Sequence, residues 1–424
     1  MDQPVFIQIG ATRDGLDPYL QAARKNNLFT VLIETPDYIR FRETMGYPEF
    51  DYTIALSHPT NSNDVLQELK QFGDNIKLVL AGFERYTLTS YHVAKYLNLP
   101  YAISETFMPL NKFEQHELLK NTTTIRQPMF LIKSVNHSSL MLDKLTYPLV
   151  VKPVDGGGGL GVFYVQSAQE AKIAIEEISK LTNYDGEHFQ GIIFEEFIPG
   201  QEYSVQGMVY DGNIQILTCC TKLSRLEKYD RNSYIHGFRE IGHIAQSGIS
   251  VDGDVYKFVS EVIKGFKYKN GPFHIDFIQN SDQFYFIEAG FRLSGGRVVS
   301  LVQTVTGLNW GHLVVDLYLG DLKIKNTLSN GVYGQMNAMA EDEILRAKEL
   351  QEQGYPVKIA RLPNRPLEAE SQLKHAKTLM ADRIRHKTPL AQIKSYSTSV
   401  TKVMSLLIQC VPDVLQNKLI KEEV

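Results

Sequence analysis

The sequence predicts two structural styles in one chain: an α/β segment built on a parallel sheet, then an α+β region built on antiparallel strands. Three observations carry this. Apolar strands alternate with helical stretches through roughly the first hundred residues, the pattern of a parallel sheet. From Leu149 onward, short apolar strands follow one another across turn residues such as Pro199-Gly200 and Asp211-Gly212, the pattern of antiparallel pairing. A length of 424 residues leaves room for two or three domains and a large core.

Composition narrows the function classes. Acidic residues number 48 against 44 basic ones, so no polyanion partner is expected and nucleic-acid binding is disfavoured. Cys219, Cys220 and Cys410 are too few and badly spaced for a disulfide framework or a zinc site. The adjacent pair inside an apolar run reads as buried thiols of a reducing cytosol. The opening Met1-Asp2-Gln3-Pro4 lacks a basic stretch followed by a long apolar one, so no signal peptide is expected. No apolar run approaches bilayer-spanning length. The expectation is a cytoplasmic protein without a membrane partner.

In chain order, Val5 to Gly10 reads as a strand, and a helix is expected from Asp17-Pro18 to Asn26-Asn27 with proline in its first turn. Phe29 to Ile33, the neighbourhood of Ile54, and Leu78 to Ala81 read as further strands. This is a Rossmann-like framework, but Gly10-Ala11-Thr12-Arg13-Asp14-Gly15 is not a G-x-G-x-x-G loop, so no dinucleotide site is expected. Asn111-Lys112 opens a helix, Phe113 to Leu119. Leu149 to Pro153 is a strand carrying Lys152, and the run Gly156 to Gly161 follows at once, then a strand from Val162 to Val165. Backbone N–H groups of such a glycine hairpin can close over phosphate oxygens, and Lys152 adds a point charge there. The loop lacks the G-K-[ST] ending of a P-loop. A helix is expected from Ala168 to Leu181. Gly191 to Val205 ends one strand and begins another, which runs through Tyr210 and returns from Asn213 to Thr218.

Two strands then carry the densest chemistry. Gly271-Pro272-Phe273-His274-Ile275-Asp276-Phe277 and Phe284-Tyr285-Phe286-Ile287-Glu288-Ala289-Gly290-Phe291-Arg292 flank a turn at Asn280-Ser281-Asp282. Alternation puts His274, Asp276 and Ile278 on one face, and Phe284, Phe286 and Glu288 on one face of the partner. An odd-numbered loop sets Asp276 opposite Glu288. Two such carboxylates resist burial together, and a hard divalent cation relieves the penalty; Mg²⁺ fits best. Arg292 is expected to meet a phosphate or a developing oxyanion. A solvated surface hairpin is the alternative.

These pieces, in this order, resemble the ATP-grasp superfamily of carboxylate–amine ligases. The resemblance covers about Lys112 to Gly320. It implies an ATP-grasp fold with a Rossmann-like N-terminal domain at 1–110, a lid region at 111–205, a core antiparallel sheet with the metal and substrate site at 206–320, and a small C-terminal α+β domain at 321–424. It implies that Lys112, Lys152, Gly157, Gly158 and Gly159 meet ATP phosphates. Glu195, Glu196, Phe197 and Ile198 would hold adenine, Glu202 would hold ribose, and Asp276 and Glu288 would bind Mg²⁺, with Mn²⁺ as the alternative ion. The family often carries Asn two residues after the second metal carboxylate; this chain has Gly290 there, so that help is expected to be lost. Glu240-Ile241-Gly242-His243 and Glu288 to Arg292 resemble the bacterial L-amino-acid ligases. That likeness implies Glu240 on a substrate ammonium, His243 near the substrate carboxyl, Gly295 in the same pocket, and Arg292 as the catalytic group on the acyl-phosphate.

The implied reaction is ATP-dependent joining of two L-amino acids, with ATP and amino acids as partners and a homodimer left open. The alternatives are an ATP-grasp ligase or carboxylase for another acid, and a non-catalytic ATP-binding regulator. From Asp321 onward a helix is expected at Glu341 to Gln353, a strand at Val357 to Leu362, and either element at Ser399 to Ile408, with no recognisable chemistry.

Overall fold

The computed structural model describes residues 3–100, 111–122, 125–128, 130–133, 142–230, 233–249, 253–323, 331–362, 367–382, 384 and 388–414. The N-terminal segment runs β1 (Val5–Ile9), α1 (Pro18–Lys25), β2 (Phe29–Glu34), α2 (Pro36–Thr44), β3 (Tyr52–Ala55), α3 (Ser62–Leu69), β4 (Ile76–Ala81) and α4 (Thr87–Tyr96). Its four strands pair in parallel in the order β3-β2-β1-β4. Glu34, fully buried at the end of β2, accepts hydrogen bonds from Ala11 N at 3.0 Å, Arg13 Nη1 at 2.9 Å and Tyr86 Oη at 3.0 Å. These bonds tie the loop after β1 and the segment after β4 to the end of β2.

The second sheet begins after α5 (Lys112–Leu119), whose N-terminus is closed by a reciprocal Asn111–Glu114 capping box. It contains β5 (Phe130–Lys133), β6 (Leu149–Pro153), β7 (Phe163–Val165), then, after α6 (Ala168–Lys180), β8 (Ile192–Glu196), β9 (Gln201–Tyr210), β10 (Asn213–Lys228) and β11 (His236–Gln246). Helix α7 (Asp254–Gly265) leads to β12 (Gly271–Asn280) and β13 (Gln283–Gly290). The order is β13-β12-β9-β10-β11-β7-β6-β8-β5. Strand β10 runs ten residues beyond the expected Thr218, because β11 continues the pairing as far as Lys228↔His236.

Helices α8 (Val298–Thr306) and α9 (Trp310–Leu319) pack beneath this sheet. The C-terminal part adds β14 (Val332–Ala338), α10 (Glu341–Glu352), β15 (Val357–Arg361), α11 (Leu367–Ser371), α12 (Ala376–Ala381), β16 (Ala391–Ser397) and α13 (Val400–Cys410). The ambiguous stretch near Ser399 is helical: Ser399 Oγ accepts from Lys402 N, and Val403, Leu406, Leu407 and Cys410 form one buried stripe. Strand β14 pairs with β11 along Gly242 to Gln246, whereas β7 pairs with β11 only at His236 and Gly237. One edge of β11 thus carries the glycine-loop sheet at one end and the C-terminal strands at the other.

The β12–β13 hairpin departs from its expected geometry. The turn is the two-residue Ser281-Asp282, with Asn280 facing Gln283. An even loop alone would set Asp276 opposite Ile287. A bulge between the Phe277–Phe286 and Asp276–Glu288 pairs supplies the missing residue. Asp276 does face Glu288, but Phe286 turns with Phe277 into the core, so Phe286 and Glu288 lie on opposite faces.

Among the described residues no single helix is long and apolar enough to cross a membrane. The apolar pair α8 and α9 is bent by 89°, and Val302, Val305, Val314 and Val315 are buried. The three cysteines are buried and free. Trp310 is fully buried, and its indole N–H donates to the Gly207 carbonyl at 3.2 Å, tying α9 to β9. Trp310→Phe is expected to cost about 1–3 kcal/mol through an unsatisfied carbonyl and a small void. Urea unfolding followed by circular dichroism measures it; a loss below about 0.5 kcal/mol would mean the contact adds nothing.

Candidate active site

The sheet, the glycine loop, the N-terminal strand ends and the C-terminal helices enclose a cavity of about 780 Å³. Every candidate site residue named from the sequence lines it. On its β6–β8 side, Lys152 is almost fully buried and its Nζ lies 2.7 Å from Glu195 Oε2. His116 Nε2 of α5 lies 3.2 Å from Glu195 Oε1. Burial opposes the charge on Glu195, but the Lys152 ammonium and His116 outweigh it and hold the carboxyl down to about 2. The Glu195 carboxylate is thus committed to fixing Lys152. Glu196, next along β8, is exposed. Beyond it Phe197 stacks near Phe238, ring centroids 6.3 Å apart and 19° from parallel, and Ile198 is buried.

The glycine loop connects β6 to β7. Gly158, Gly159 and Gly161 have φ of 62°, 80° and 66°, where a β-carbon is disfavoured. It is anchored from three directions. Lys112 Nζ donates to the Gly156 carbonyl at 2.7 Å, Tyr184 Oη reaches the Gly157 carbonyl at 3.5 Å, and Gly161 N donates to Asp382 Oδ2 at 3.2 Å. Asp382 belongs to the C-terminal region, where the sequence carried no recognisable chemistry. His375, Gln335 and Gln392 from that region also line the cavity.

Asp276 and Glu288 face the cavity side by side, each already met by a lysine. Lys112 Nζ lies 2.9 Å from Glu288 Oε2. Burial raises the Glu288 pKa, but Lys112 and Lys152 more than reverse this and bring it well below the usual carboxylate range. Asp276 Oδ2 accepts from Lys222 Nζ at 2.8 Å, and Asp276 Oδ1 accepts from Ser204 Oγ at 2.5 Å. The same ammonium lies 2.6 Å from Glu202 Oε1 and 3.2 Å from Glu240 Oε2. Burial lowers the Lys222 pKa, yet these three carboxylates carry it well above its ordinary value. Glu202 still rises, because burial and the nearby Asp276 charge outweigh Lys222. His243 Nε2 is 3.5 Å from Glu240 Oε1, and burial, with Lys222 adding to it, lowers the His243 pKa and favours the neutral ring.

Lys222 was not singled out from the sequence. Its signal is a lone charge in the buried run from Ile216 to Leu223, on a β10 position facing His243 of β11. Arg292 lies just past the end of β13, and its Nε is 2.7 Å from Glu84 Oε2 of the N-terminal segment. At Gly290 the expected loss has a structural counterpart. His274 pairs with Gly290 across the hairpin, and a β-carbon at 290 would fall 2.0 Å from His274 Cε1. The histidine ring fills the space a side chain would need. Burial, with Arg292 beside it, lowers the His274 pKa.

Among the described residues no three His, Cys, Asp or Glu side chains gather into a metal cage. Two carboxylates facing each other, with other positions left to water and phosphate oxygens, suit Mg²⁺ better than a closed transition-metal site.

A family model for the ATP-grasp domain matches residues 110–296. That stretch, a little under half of the chain, is similar to the ATP-grasp domain. Dapdiamide A synthase of Enterobacter agglomerans is 25% identical over 262 residues, covering 59% of this chain and 58% of that protein. A D-alanine–D-alanine ligase of Petrotoga mobilis is 24% identical over 179 residues, covering 42% of this chain and 55% of that protein. The chain therefore spans little more than half the length of these curated relatives. Among solved structures, an L-amino acid ligase from Bacillus licheniformis superposes with a TM-score of 0.67 at 18% identity, covering 98% of both chains. An ADP complex of N5-carboxyaminoimidazole ribonucleotide synthetase gives 0.63 at 12% identity, covering 96% of this chain and 97% of that one. At these identities the structural likeness establishes the ATP-grasp fold.

Two outcomes follow from the ion pairs and the hairpin. The stabilisation from Glu195 is complete above the ordinary carboxyl pKa of about 4.3 and is lost as pH falls toward about 2. Glu195→Gln is expected to cost about 3–5 kcal/mol near neutral pH by leaving Lys152 buried and unpaired. Urea titrations at descending pH should show the gap from wild type closing below the ordinary carboxyl pKa; a constant gap would contradict the assignment. Gly290→Asn is expected to lose about 1–3 kcal/mol by overpacking against His274. Adding His274→Ala, which vacates the ring's space, should recover part of that loss in a double-mutant cycle.

Proposed function

We propose that the chain is an ATP-dependent carboxylate–amine ligase that joins two L-amino acids. ATP phosphorylates one carboxylate, releasing ADP, and the amine of the second amino acid displaces phosphate from the acyl-phosphate. The observation that supports this most is the convergence on one cavity of two sets of groups. Lys112, Lys152, the glycine loop, Asp276 and Glu288 suit a nucleoside triphosphate; Glu240, His243 and Arg292 suit an amino acid. Mg²⁺ held by Asp276 and Glu288 would neutralise phosphate charge.

The remaining work belongs to the chain's own side chains. Lys112 and Lys152 place positive charge beside the phosphates, and Phe197 and Ile198 offer an apolar slot for the base next to Glu196, with Glu202 beyond it for ribose. Glu240 binds the ammonium of the amino acid to be activated. Arg292 sets a guanidinium beside the reacting carboxyl and offsets charge on its oxygen during both phosphoryl transfer and amine attack. No nucleophilic side chain is required. Closure of the glycine loop excludes water, which would otherwise hydrolyse the acyl-phosphate.

Phosphate release over all pairs of amino acids, with products identified by mass spectrometry, tests the reading. The expected result is release that needs two amino acids and yields a dipeptide. Release independent of amino acids, or a carboxylated product, overturns it. Asp276→Asn and Glu288→Gln should each lower turnover ~10²-fold or more, as should excess chelator. Arg292→Met should lower dipeptide synthesis by about 10²–10³-fold while calorimetric ATP affinity stays near wild type. Lys152→Met should instead raise the KM for ATP.

A further inference from the structure

Among the lysines and arginines lining the cavity, nearly all are committed. Arg13, Lys112, Lys152, Lys222 and Arg292 each meet a carboxylate at 2.6–2.9 Å. Arg239 donates to the Ile384 carbonyl. Arg297 lines the cavity too, and among the described residues its guanidinium meets no acceptor.

Its backbone is unusual. Arg297 has φ 64° and ψ 15°, the left-handed region that disfavours a β-carbon. The turn is tied down on both sides: Val298 N donates to the Gly295 carbonyl at 3.1 Å, and Gln335 Nε2 donates to the Gly296 carbonyl at 3.3 Å. It lies against the amino-acid end of the cavity, for a β-carbon built on Gly296 would be 3.7 Å from Glu240 Oε1 and 3.9 Å from His243 Cε1. A strained turn beside the groups assigned to substrate thus carries a cavity-lining guanidinium that meets no acceptor among the described residues.

An amino acid that supplies only its amine brings a carboxylate that does not react. Once the cavity closes, that full negative charge needs a counter-ion. Arg292 serves the reacting carboxyl, and the lysines serve phosphates or protein carboxylates. We propose that Arg297 is the counter-ion for the carboxylate of the amine-donating amino acid, so that the enzyme selects an acceptor with a free carboxyl group. This rests on the ligase reading above.

The test compares the best amine donor from the pairwise screen with its carboxamide, at a fixed acyl donor. Wild type is expected to favour the free acid by roughly ten- to a hundredfold in kcat/KM. Arg297→Met should raise the KM for the free acid by a similar factor and leave the carboxamide almost unaffected. Its KM for ATP should stay within about twofold of wild type. Arg297→Lys should recover part of the preference. Equal use of acid and carboxamide by wild type overturns the proposal. So does an Arg297→Met enzyme that loses both substrates equally, which marks a packing role, or one whose loss is confined to acyl donors with acidic side chains. Any of these can occur while dipeptide is still made, leaving the ligase reading intact. Failure of every pair to give dipeptide overturns both.

Discussion

Carboxylates crowd one cavity here because ammonium groups stand between them. Glu202, Glu240 and Asp276 come from three different strands and all reach Lys222 Nζ, at 2.6, 3.2 and 2.8 Å. Without that charge they would repel one another in surroundings that favour protonation. Lys152 with Glu195 and Lys112 with Glu288 repeat the device between other elements. Each pair joins parts of the fold that are distant in sequence, so the groups that hold the sheet together are also those exposed to ligand. On the ligase reading, a nucleotide that draws the lysines toward its phosphates leaves carboxylates for a divalent cation. Charges are exchanged between partners.

Much of this was legible in local patterns. The glycine run after a lysine-bearing strand, the Pro199-Gly200 junction and the Asp211-Gly212 turn each state their geometry within a few residues. The Asp276–Glu288 pairing was legible for an incomplete reason. The true turn has two residues, and a bulge near Ile287 restores the register. Bulges follow from packing across a sheet, and strand periodicity does not announce them. Lys222 and Arg297 were missed because each is a single charge without a motif; only the folded sheet shows that one sits among three carboxylates and the other meets no acceptor among the described residues. Asp382 acts on Gly161 across 221 positions, a relation no window of sequence contains.

Gly290 illustrates a related point. Taken alone it is a lost side chain beside the second carboxylate. Across the hairpin, the His274 ring occupies that volume. The two positions read as one local solution, a large residue on one strand facing none on the other. Restoring the usual residue at 290 without changing its partner would overfill the space.

The segment recognised by family likeness and the segment that can fold are different objects. The match to the family model stops at residue 296. Yet β11 finds its partner along Gly242 to Gln246 in β14, and Trp310, seated against Gly207, lies beyond that point as well. A fragment trimmed to the recognised boundary would bare a row of unpaired backbone groups on β11, a template for pairing between molecules. Transplanting this site into another protein would therefore have to include the C-terminal strands, which contribute shape and solubility to chemistry housed mostly elsewhere.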